Sequence, residues 1–519
     1  MRKDILALVV GWTLILLCAP LAVVGLVTPF LGDGQEFAVR AFLPPVLISG
    51  VLGFLLKRWG TRDDSDERLR DREAFAAVAL GWPVVVAIGA LPFWLGGMFN
   101  GPHEFLAGNV DLSTAAVGYI HSWFESMSGF TTTGATVIDP STSPICTAAV
   151  TDCIAAQPHS LLLWRSLTQW LGGMGIIMLG ILIISRFLGG GMSVARAELT
   201  GPSLSRLRPR LAQTAKVLWT IYIALTLAEM ALLRYVGDLT WFDSINHGLT
   251  TMPSGGYSTY DAGIMHFESA TVEWIIIFFM VATGINFTLY HFLWLKEWFN
   301  VVTNSELQVY LAVLLGSWTI MTVNLVMAAD VNSADSFRLA AFQAASIGTS
   351  TGYATADFAA WPILSKVILL LLMIVGACAG STSGGLKILR LRIAFLLARR
   401  EISRISSPRK VHVVRMDGKV VDDDKLWIIV GMLSWWAVIA MMGLLMLSFI
   451  EYDLNLESII GLVVSSLGNT GPTLGSFGPT QTWAGLHWGS LLLTSGLMWL
   501  GRLELLTVLV LISPRVWKK

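Results

Sequence analysis

The sequence repeats one short polar motif four times: Thr132-Thr133-Gly134, Pro253-Ser254-Gly255, Ser350-Thr351-Gly352 and Asn469-Thr470-Gly471. In each copy a hydroxyl residue directly precedes a glycine. Each copy follows an apolar run that is too short to cross a bilayer and precedes one that is long enough. A single Thr-Gly pair indicates no more than a turn, but four copies in the same place indicate a unit that the chain repeats.

The composition is that of a membrane protein with many spans. Of the 519 residues, 54% are hydrophobic and 13% are charged, and the mean hydropathy is +0.66. Soluble domains carry about 25% charged residues, roughly twice this fraction. Uncharged runs of about 20 residues recur, each long enough to cross a hydrocarbon core. The 35 basic residues balance the 35 acidic ones, so the charge gives no indication of a nucleic-acid partner.

The repeat predicts how an all-α chain crosses the membrane. Residues 5–31 and 39–57 form a predicted helical hairpin outside the repeat, and each of four units adds an outer and an inner helix, which gives ten spans. The predicted inner helices are about Ser160–Phe187, Val272–Phe299 and Trp483–Ile512, and that of unit three is a segment from Ile363 to Arg400. The basic loop from Lys57 to Glu73 lies in the cytoplasm by the positive-inside rule, and so do both termini. The predicted domains are the hairpin with its loop and four pore units, at residues 1–74, 75–211, 212–304, 305–424 and 425–519.

Between the outer and inner helix of each unit lies an apolar run of only about half the length of a span. These runs are Val117–Gly129, Trp241–Thr251, Ser336–Ile347 and Leu456–Leu467. Because non-helical backbone at membrane depth is tolerated only inside protein or beside water, we predict four re-entrant loops, each a half-helix followed by an extended strand. Asp243, Asp335 and Asp453 would lie near half-helix starts, where an acid suits the helix dipole.

Four such strands around one axis predict a filter for a monovalent cation. A ring of backbone carbonyls can replace the hydration shell of the ion. Gly134, Gly255, Gly352 and Gly471 would supply the unusual backbone angles that aim those carbonyls. The motifs contain no carboxylate, which argues against a divalent cation. The alternative is that these small residues only let helices pack closely.

A glycine-rich segment interrupts the inner region of unit three. It contains Gly376, Gly380, Ser381, Thr382, Ser383, Gly384 and Gly385, with Lys387 shortly after. Each glycine costs a helix up to about 1 kcal/mol relative to alanine, so a continuous helix is disfavoured. The segment is either a close helix–helix contact or, as we favour, a mobile loop across the path below the filter.

Arg502 lies well inside the last apolar run, where a charge is costly and normally faces the bundle interior or water. Two interpretations are open. Arg502 forms a structural ion pair with Glu504 or with a neighbouring helix, or it places a positive charge in the cation path.

The four cysteines differ in their surroundings. Cys146 and Cys153 share a predicted external loop, and their separation allows a disulfide in an oxidising compartment, two free thiols being the alternative. Cys18 and Cys378 lie in apolar sequence, and we expect them to remain thiols. No metal-binding cysteine spacing is present.

Two other classes of protein fit less well. A secondary transporter with broken helices would need an inverted repeat, whereas these four units share one polarity. An intramembrane hydrolase would need a base beside a nucleophile at membrane depth, and the sequence contains no such pair. We therefore do not expect an enzyme.

Longer segments around the four motifs resemble the filters of the TrkH/KtrB superfamily of potassium transporters. These are residues 129–136, 252–259, 348–358 and 467–472, and residues 169–175 and 195–198 also match. The extra hairpin and the long cytoplasmic loops are closer to TrkH than to the shorter KtrB. The resemblance implies potassium uptake through a single-chain pseudo-fourfold pore in the bacterial inner membrane, without a cofactor. It also implies homodimers and a cytosolic nucleotide-binding partner of the TrkA type. It places an intramembrane gate at the glycine-rich segment and an arginine, here Arg502, beneath the filter.

Overall fold

The computed structural model describes most of the chain. It covers residues 3–60, 71–147, 149–175, 211–328, 332–407, 409–410, 412–417, 419–503, 505, 507–508 and 511. Several predicted features lie outside these residues: the end of inner helix one towards Phe187, the segment at 195–198, Glu504, the basic C-terminal tail and most of the loop between Lys57 and Glu73.

The predicted N-terminal hairpin is present as two long helices, Lys3–Val27 and Gln35–Trp59, joined by a short 3-10 turn. The helices approach closely at Gly11, where an added Cβ would overlap backbone atoms of the second helix. At the turn, the Asp33 carboxylate accepts hydrogen bonds from the amides of His159 at 3.2 Å and Ser160 at 2.7 Å. The hairpin therefore caps a helix of unit one, although it belongs to no copy of the repeat.

Each unit begins with a long outer helix. The outer helices are Asp71–Leu95, Leu211–Tyr235, Ser305–Ala328 and Asp423–Ile450. Together with the two hairpin helices they are the six helices of the described residues that are long and apolar enough to span a membrane. Large apolar side chains such as Trp435 and Phe449 point outward, as expected of a surface that faces lipid.

The predicted helices precede the polar motif in all four units, but the first, with 19 residues, is longer than the predicted half-span. They are Leu112–Phe130, Trp241–Thr251, Ser333–Gly348 and Leu456–Gly468. A short polar side chain caps the start of each one by accepting a backbone amide hydrogen: Asp111, Thr240, Asn332 and Asn455. Asp243 and Asp335 lie in the first turn, as predicted. Asp453 lies before the cap, and Glu457 supplies the first-turn acid instead.

The inner helices are shorter than predicted. Their described parts are His159–Gly173, Ala270–Thr283, Ile363–Val375 and Trp488–Arg502. The prediction of one continuous inner helix over 272–299 is wrong, because the chain turns by 96° into Phe287–Leu293. Gly284 ends the first piece, and the Asn286 side chain caps the second by accepting the Thr288 amide hydrogen. Residues 483–487 likewise precede the last inner helix, which begins at Trp488.

The remaining elements are short and connect the long helices. Helices Pro102–Leu106 and Trp298–Val302 are surface turns, and 3-10 turns follow three of the half-helices. After the glycine-rich segment the chain forms the helix Ile388–Ser406 and a two-stranded antiparallel hairpin, in which Arg415–Met416 pairs with Lys419–Val420.

The four units close into a ring. Each inner helix packs against the half-helix of the next unit, and inner helix four returns to half-helix one. Ion pairs join neighbouring units, with Arg338 2.6 Å from Glu273 and Lys366 2.9 Å from Glu457. This cyclic arrangement brings the four polar motifs to one central region.

Candidate cation path

The backbone angles define which residues of the four motifs are equivalent. The chain adopts positive φ at Thr132, Ser254, Ser350 and Asn469, with values of 53°, 60°, 56° and 51°. It does so again two residues later, at Gly134, Gly256, Gly352 and Gly471, with values of 85°, 77°, 85° and 95°. Between them lie the four residues Thr133, Gly255, Thr351 and Thr470, which we call the ring residues.

The second motif is therefore shifted by one residue from the sequence-based prediction. Pro253 precedes the motif, and Gly256, not Gly255, is the glycine with positive φ. The physical reason is that the proline ring holds φ near −65°, so Pro253 cannot take the left-handed conformation that starts the motif. The sequence places two glycines side by side here, and the second one, Gly256, has the positive φ.

Hydrogen bonds to the half-helices support the same register. In every copy the amide of the ring residue donates to a carbonyl five positions earlier, in the last turn of its half-helix. The donor and acceptor pairs are Thr133 to Ser128 at 2.8 Å, Gly255 to Thr250 at 2.9 Å, Thr351 to Ser346 at 2.8 Å and Thr470 to Ser465 at 3.0 Å. One bond type thus ties all four strands to the helices that position them.

The positive-φ glycines face the carbonyl oxygens of the ring residues in a closed cycle. At each glycine, a Cβ would fall well inside van der Waals contact with the ring carbonyl oxygen of the next copy. The pairs are Gly134 with Gly255, Gly256 with Thr351, Gly352 with Thr470, and Gly471 with Thr133. Glycine is required at these positions both by the backbone angle and by this close approach.

The half-helices add a favourable field to this ring. Their carbonyl ends carry the partial negative charge of the helix dipole and lie beside the ring residues. The ring itself contains neutral backbone oxygens and no carboxylate. Such a site suits a monovalent cation better than a divalent one, which prefers anionic oxygen ligands.

The glycine-rich segment lies against the helix side of this ring. The Thr382 hydroxyl is 3.0 Å from the Ser254 hydroxyl and donates to the Met252 carbonyl at 3.1 Å. The Gly384 amide donates to the Ser350 hydroxyl at 2.6 Å, and a Cβ on Gly384 would overlap the Gly468 carbonyl. The segment thus contacts three of the four copies and is a loop, not a helix–helix contact.

The loop is held internally by its hydroxyls and by Lys387. Ser381 Oγ donates to the Cys378 carbonyl at 2.6 Å and lies 2.8 Å from Ser383 Oγ. Lys387 Nζ donates to the Ser383 carbonyl oxygen. The loop closes on itself where Gly376 and Gly385 approach each other. The backbone has positive φ at both glycines, at Gly380 and at Lys387 itself.

The loop is hydrogen-bonded to both sides of the break in inner helix two. The Cys378 amide donates to the Gly284 carbonyl at 3.1 Å, and the Phe287 amide donates to the Gly380 carbonyl at 3.0 Å. From outer helix three, Glu306 accepts the Ala379 amide hydrogen at 2.6 Å. The sequence of residues 272–299 did not predict this role, because a single glycine such as Gly284 is frequent in membrane helices.

Arg502 connects the loop to inner helix one. Its guanidinium donates to the Thr382 carbonyl at 2.7 Å and to the carbonyls of Gly172 and Gly173 at 2.9 and 3.0 Å. The side chain therefore lies directly at the loop under the ring. The side chain of Glu504 lies outside the described residues, so both interpretations of Arg502 from the sequence stay predictions.

A buried ion pair behind the filter was missed by the sequence analysis. Arg165 Nε lies 2.6 Å from Glu125 Oε1, and both side chains are almost fully buried. Glu125 also accepts from the Val137 amide at 3.1 Å, while Arg165 donates to the Ser258 carbonyl at 2.9 Å. Through these bonds the pair connects the extended segments that follow copies one and two of the motif. The sequence does contain one indication of this pair, because Arg165 is a charged residue within an apolar predicted helix.

The structure joins Cys146 and Cys153 in a disulfide, with their Cα atoms 5.2 Å apart. Asp261, which follows the second strand, accepts hydrogen bonds from the amides of Cys153 at 2.6 Å and Ile154 at 2.8 Å. Burial raises the pKa of this Asp261 carboxyl, against the lowering effect of the two amides. The disulfide loop is thereby fixed onto unit two. Cys18 and Cys378 are free thiols.

Comparison with known proteins gives consistent matches over the whole chain. The sequence profile of one family, TrkH (cation transport protein), matches residues 92–519. The Trk system potassium uptake protein TrkH of Salmonella typhimurium is 34% identical over 98% of each chain. TrkG of Escherichia coli, also a Trk system potassium uptake protein, is 30% identical over 89% of this chain and 88% of its own. The crystal structure of the potassium transporter TrkH from Vibrio parahaemolyticus superposes with a TM-score of 0.82 at 28% identity, covering 100% of both chains.

Proposed function

The chain belongs to the TrkH family of cation transport proteins, and from that premise we propose that it takes up potassium through the ring described above. The observation that carries this proposal is the closed cycle in which each positive-φ glycine faces the ring carbonyl of the next copy. Four carbonyl oxygens around one axis can replace the water shell of a potassium ion. The ion is the transported substrate, and no cofactor enters the proposal.

We assign the filter to three residues of each strand. In copies one, three and four these are the residues predicted from the sequence, and in copy two they are Ser254, Gly255 and Gly256. The positive-φ glycines let neighbouring strands approach, and the ring residues supply the carbonyl oxygens. The surrounding pore units are those predicted from the repeat, 75–211, 212–304, 305–424 and 425–519.

We further assign gating to the loop from Gly376 to Gly385 together with Lys387 and Arg502. The loop lies against three copies of the motif, and hydrogen bonds to unlike partners hold it there. Residues 376–385 contain no large apolar side chain, so little apolar packing opposes the departure of the loop. In the described arrangement it lies under the ring together with a positive charge, which would oppose the passage of a cation.

The protein would work as a homodimer in the bacterial inner membrane with both termini in the cytoplasm. A cytosolic nucleotide-binding subunit of the TrkA type would control the gate. Support for this orientation comes from the basic residues near the N-terminus, in the loop after the hairpin and in the C-terminal tail. The family's relatives named above belong to Trk systems, which is consistent with such a partner.

Rubidium uptake into liposomes that contain the purified protein tests the proposal. We expect uptake without any organic substrate, and competition by potassium far stronger than by sodium. A second run with an imposed sodium gradient separates a channel-like path from sodium-coupled transport. Absence of uptake in correctly inserted protein would contradict the function, and equal competition by sodium would point instead to a transporter of another monovalent cation.

A further inference from the structure

Copy two of the filter is built differently from the other three. Its ring residue, Gly255, has no side chain, whereas the equivalent positions are threonines. The Thr133 and Thr351 hydroxyls lie 2.8 Å from the hydroxyls of Thr131 and Thr349, so each of these strands is braced by its own side chains. Gly255 cannot form such a contact.

A side chain from inner helix one takes the place of the missing threonine. Gln169 is fully buried, and its Nε2 donates to the Gly255 carbonyl oxygen at 2.7 Å. Its Oε1 accepts the Tyr257 amide hydrogen at 3.2 Å. The amide group thus spans the strand on both sides of Gly256, and its donor binds the oxygen that belongs to the ring.

The absence of a side chain at position 255 is explained by Gln169. The backbone of Gly255 does not have positive φ, so its conformation is open to other residues. A Cβ there would instead overlap the side-chain amide of Gln169. Gln169 and a side chain at position 255 are therefore alternatives that compete for one space.

We propose that Gln169 is a specificity-determining residue of the filter, which positions the Gly255 carbonyl and weakens its field at one side of the ring. This inference rests on the proposed function. A carbonyl oxygen that already accepts an amide hydrogen attracts a cation less strongly and is held in one direction. Field strength and the freedom of the carbonyls are the two properties that govern discrimination between potassium and sodium. The four ring carbonyls then attract a cation with unequal strength, even though the backbone at the four positions is similar.

Three variants separate this role from simple packing. Gln169→Leu removes both hydrogen bonds and replaces the amide with an apolar side chain of similar size. Gly255→Ala keeps Gln169 but displaces its side-chain amide. It provides the same test if Gln169→Leu does not fold. The double variant Gln169→Ala/Gly255→Thr restores the threonine pattern of copies one, three and four. Gln343→Leu is the matched control, since this buried glutamine on half-helix three donates to Thr355 at 3.4 Å and not to a ring carbonyl.

The measurement is the potassium-over-sodium competition ratio for rubidium uptake into liposomes, together with the yield of monodisperse protein. We expect the ratio to fall by about tenfold in Gln169→Leu or Gly255→Ala, which corresponds to about 1.4 kcal/mol. The double variant should regain at least part of this loss, and the control should stay near the wild type. An unchanged ratio in Gln169→Leu, or an equal fall in Gln343→Leu, would overturn the inference. Absence of rubidium uptake in the wild type would instead refute the proposed function, and the inference with it.

Discussion

The filter ring and the glycine-rich loop lie next to each other but are held in opposite ways. Every ring residue is fixed by the same amide-to-carbonyl bond to its half-helix, and every positive-φ glycine meets the next strand. The loop also has positive φ at several glycines, but its partners are all different: a carboxylate, a guanidinium, two hydroxyls and the broken end of a helix.

This difference fits the roles proposed for the two elements. Each ring strand is attached to its half-helix and packed between two others, so moving one strand disturbs its neighbours. The loop has no symmetry partner, so losing one contact, such as that of Arg502, does not require the same change elsewhere. In the proposed function, the repeated attachments hold the filter and the unrepeated loop acts as the gate.

The largest effect is expected from placing a side chain in the ring. Gly256→Ser and Gly352→Ser combine a strained positive φ with overlap on the ring carbonyl of the next copy. Strain of about 1–3 kcal/mol, with the displaced oxygen, should lower the potassium-over-sodium ratio by about 100-fold or abolish uptake. Competition of rubidium uptake in liposomes measures this ratio.

Gly316→Ser is the matched control, because Gly316 lies on outer helix three with nothing within 4 Å of an added Cβ. It should behave as the wild type. If Gly256→Ser kept wild-type selectivity, Gly256 would not belong to the ring and the register proposed for copy two would be wrong.

A smaller effect, in the opposite direction, is expected at the loop. Arg502→Ala removes three hydrogen bonds and a positive charge beside the path, so rubidium flux per molecule should rise about tenfold. Arg502→Lys keeps the charge and should raise the flux much less. Flux is measured in liposomes, normalised to the amount of folded protein.

Reduced yield of Arg502→Ala with unchanged flux per molecule would assign Arg502 to the scaffold. A structural ion pair would then explain Arg502, and its contact with the loop would not be one that breaks when the path opens.

The buried pair behind the ring should matter for stability more than for gating. Arg165→Met leaves the Glu125 carboxylate buried without its charged partner, which costs about 3–5 kcal/mol. Arg165→Met/Glu125→Gln should recover most of this loss. Thermal unfolding in detergent checks both, and Arg338→Met, at a pair with a partly exposed arginine, should be milder. Equal losses at the two arginines would show that burial is not what makes the first pair important.

The smallest effect on transport is expected from the disulfide, whose loop is held by Asp261 of unit two. Replacing Cys146 and Cys153 by serine should lower stability by about 2–4 kcal/mol and leave the flux unchanged. Cys18→Ser, at a free thiol, is the control. Mass spectrometry of non-reduced peptides should recover one linked pair. Free alkylation of both loop cysteines without reductant would rule the pair out.

Much of the fold follows from the sequence because its repeat is strong. Four short runs before four polar motifs predicted the half-helices, and the bounds of half-helix two, Trp241–Thr251, agree with the structure. The interruption by glycines predicted a loop after Ile363–Val375, and the structure has one. These features depend on local composition and length, which a single sequence reports directly.

The features that were missed depend on contacts between parts of the chain that are distant in sequence. Gly255 and Gly256 are adjacent in the sequence. The fixed φ of Pro253 disfavours the earlier register, but the close approach of the next strand to Gly256 and of Gln169 to Gly255 appears only in the structure. The break at Gly284 becomes understandable when the loop residue Gly380 is seen to bind beside it. The pairing of Glu125 with Arg165 joins residues that the sequence places 40 positions apart. No periodicity within one unit carries such information.

In the proposed function, four carbonyl oxygens, one from each copy, form the ion site. A structure determined from crystals grown in rubidium, with anomalous scattering recorded for that ion, tests this assignment. We predict an anomalous peak on the axis between the carbonyl oxygens of Thr133, Gly255, Thr351 and Thr470. Rubidium found only elsewhere, or an axis on which these oxygens point away from the ion, would contradict it.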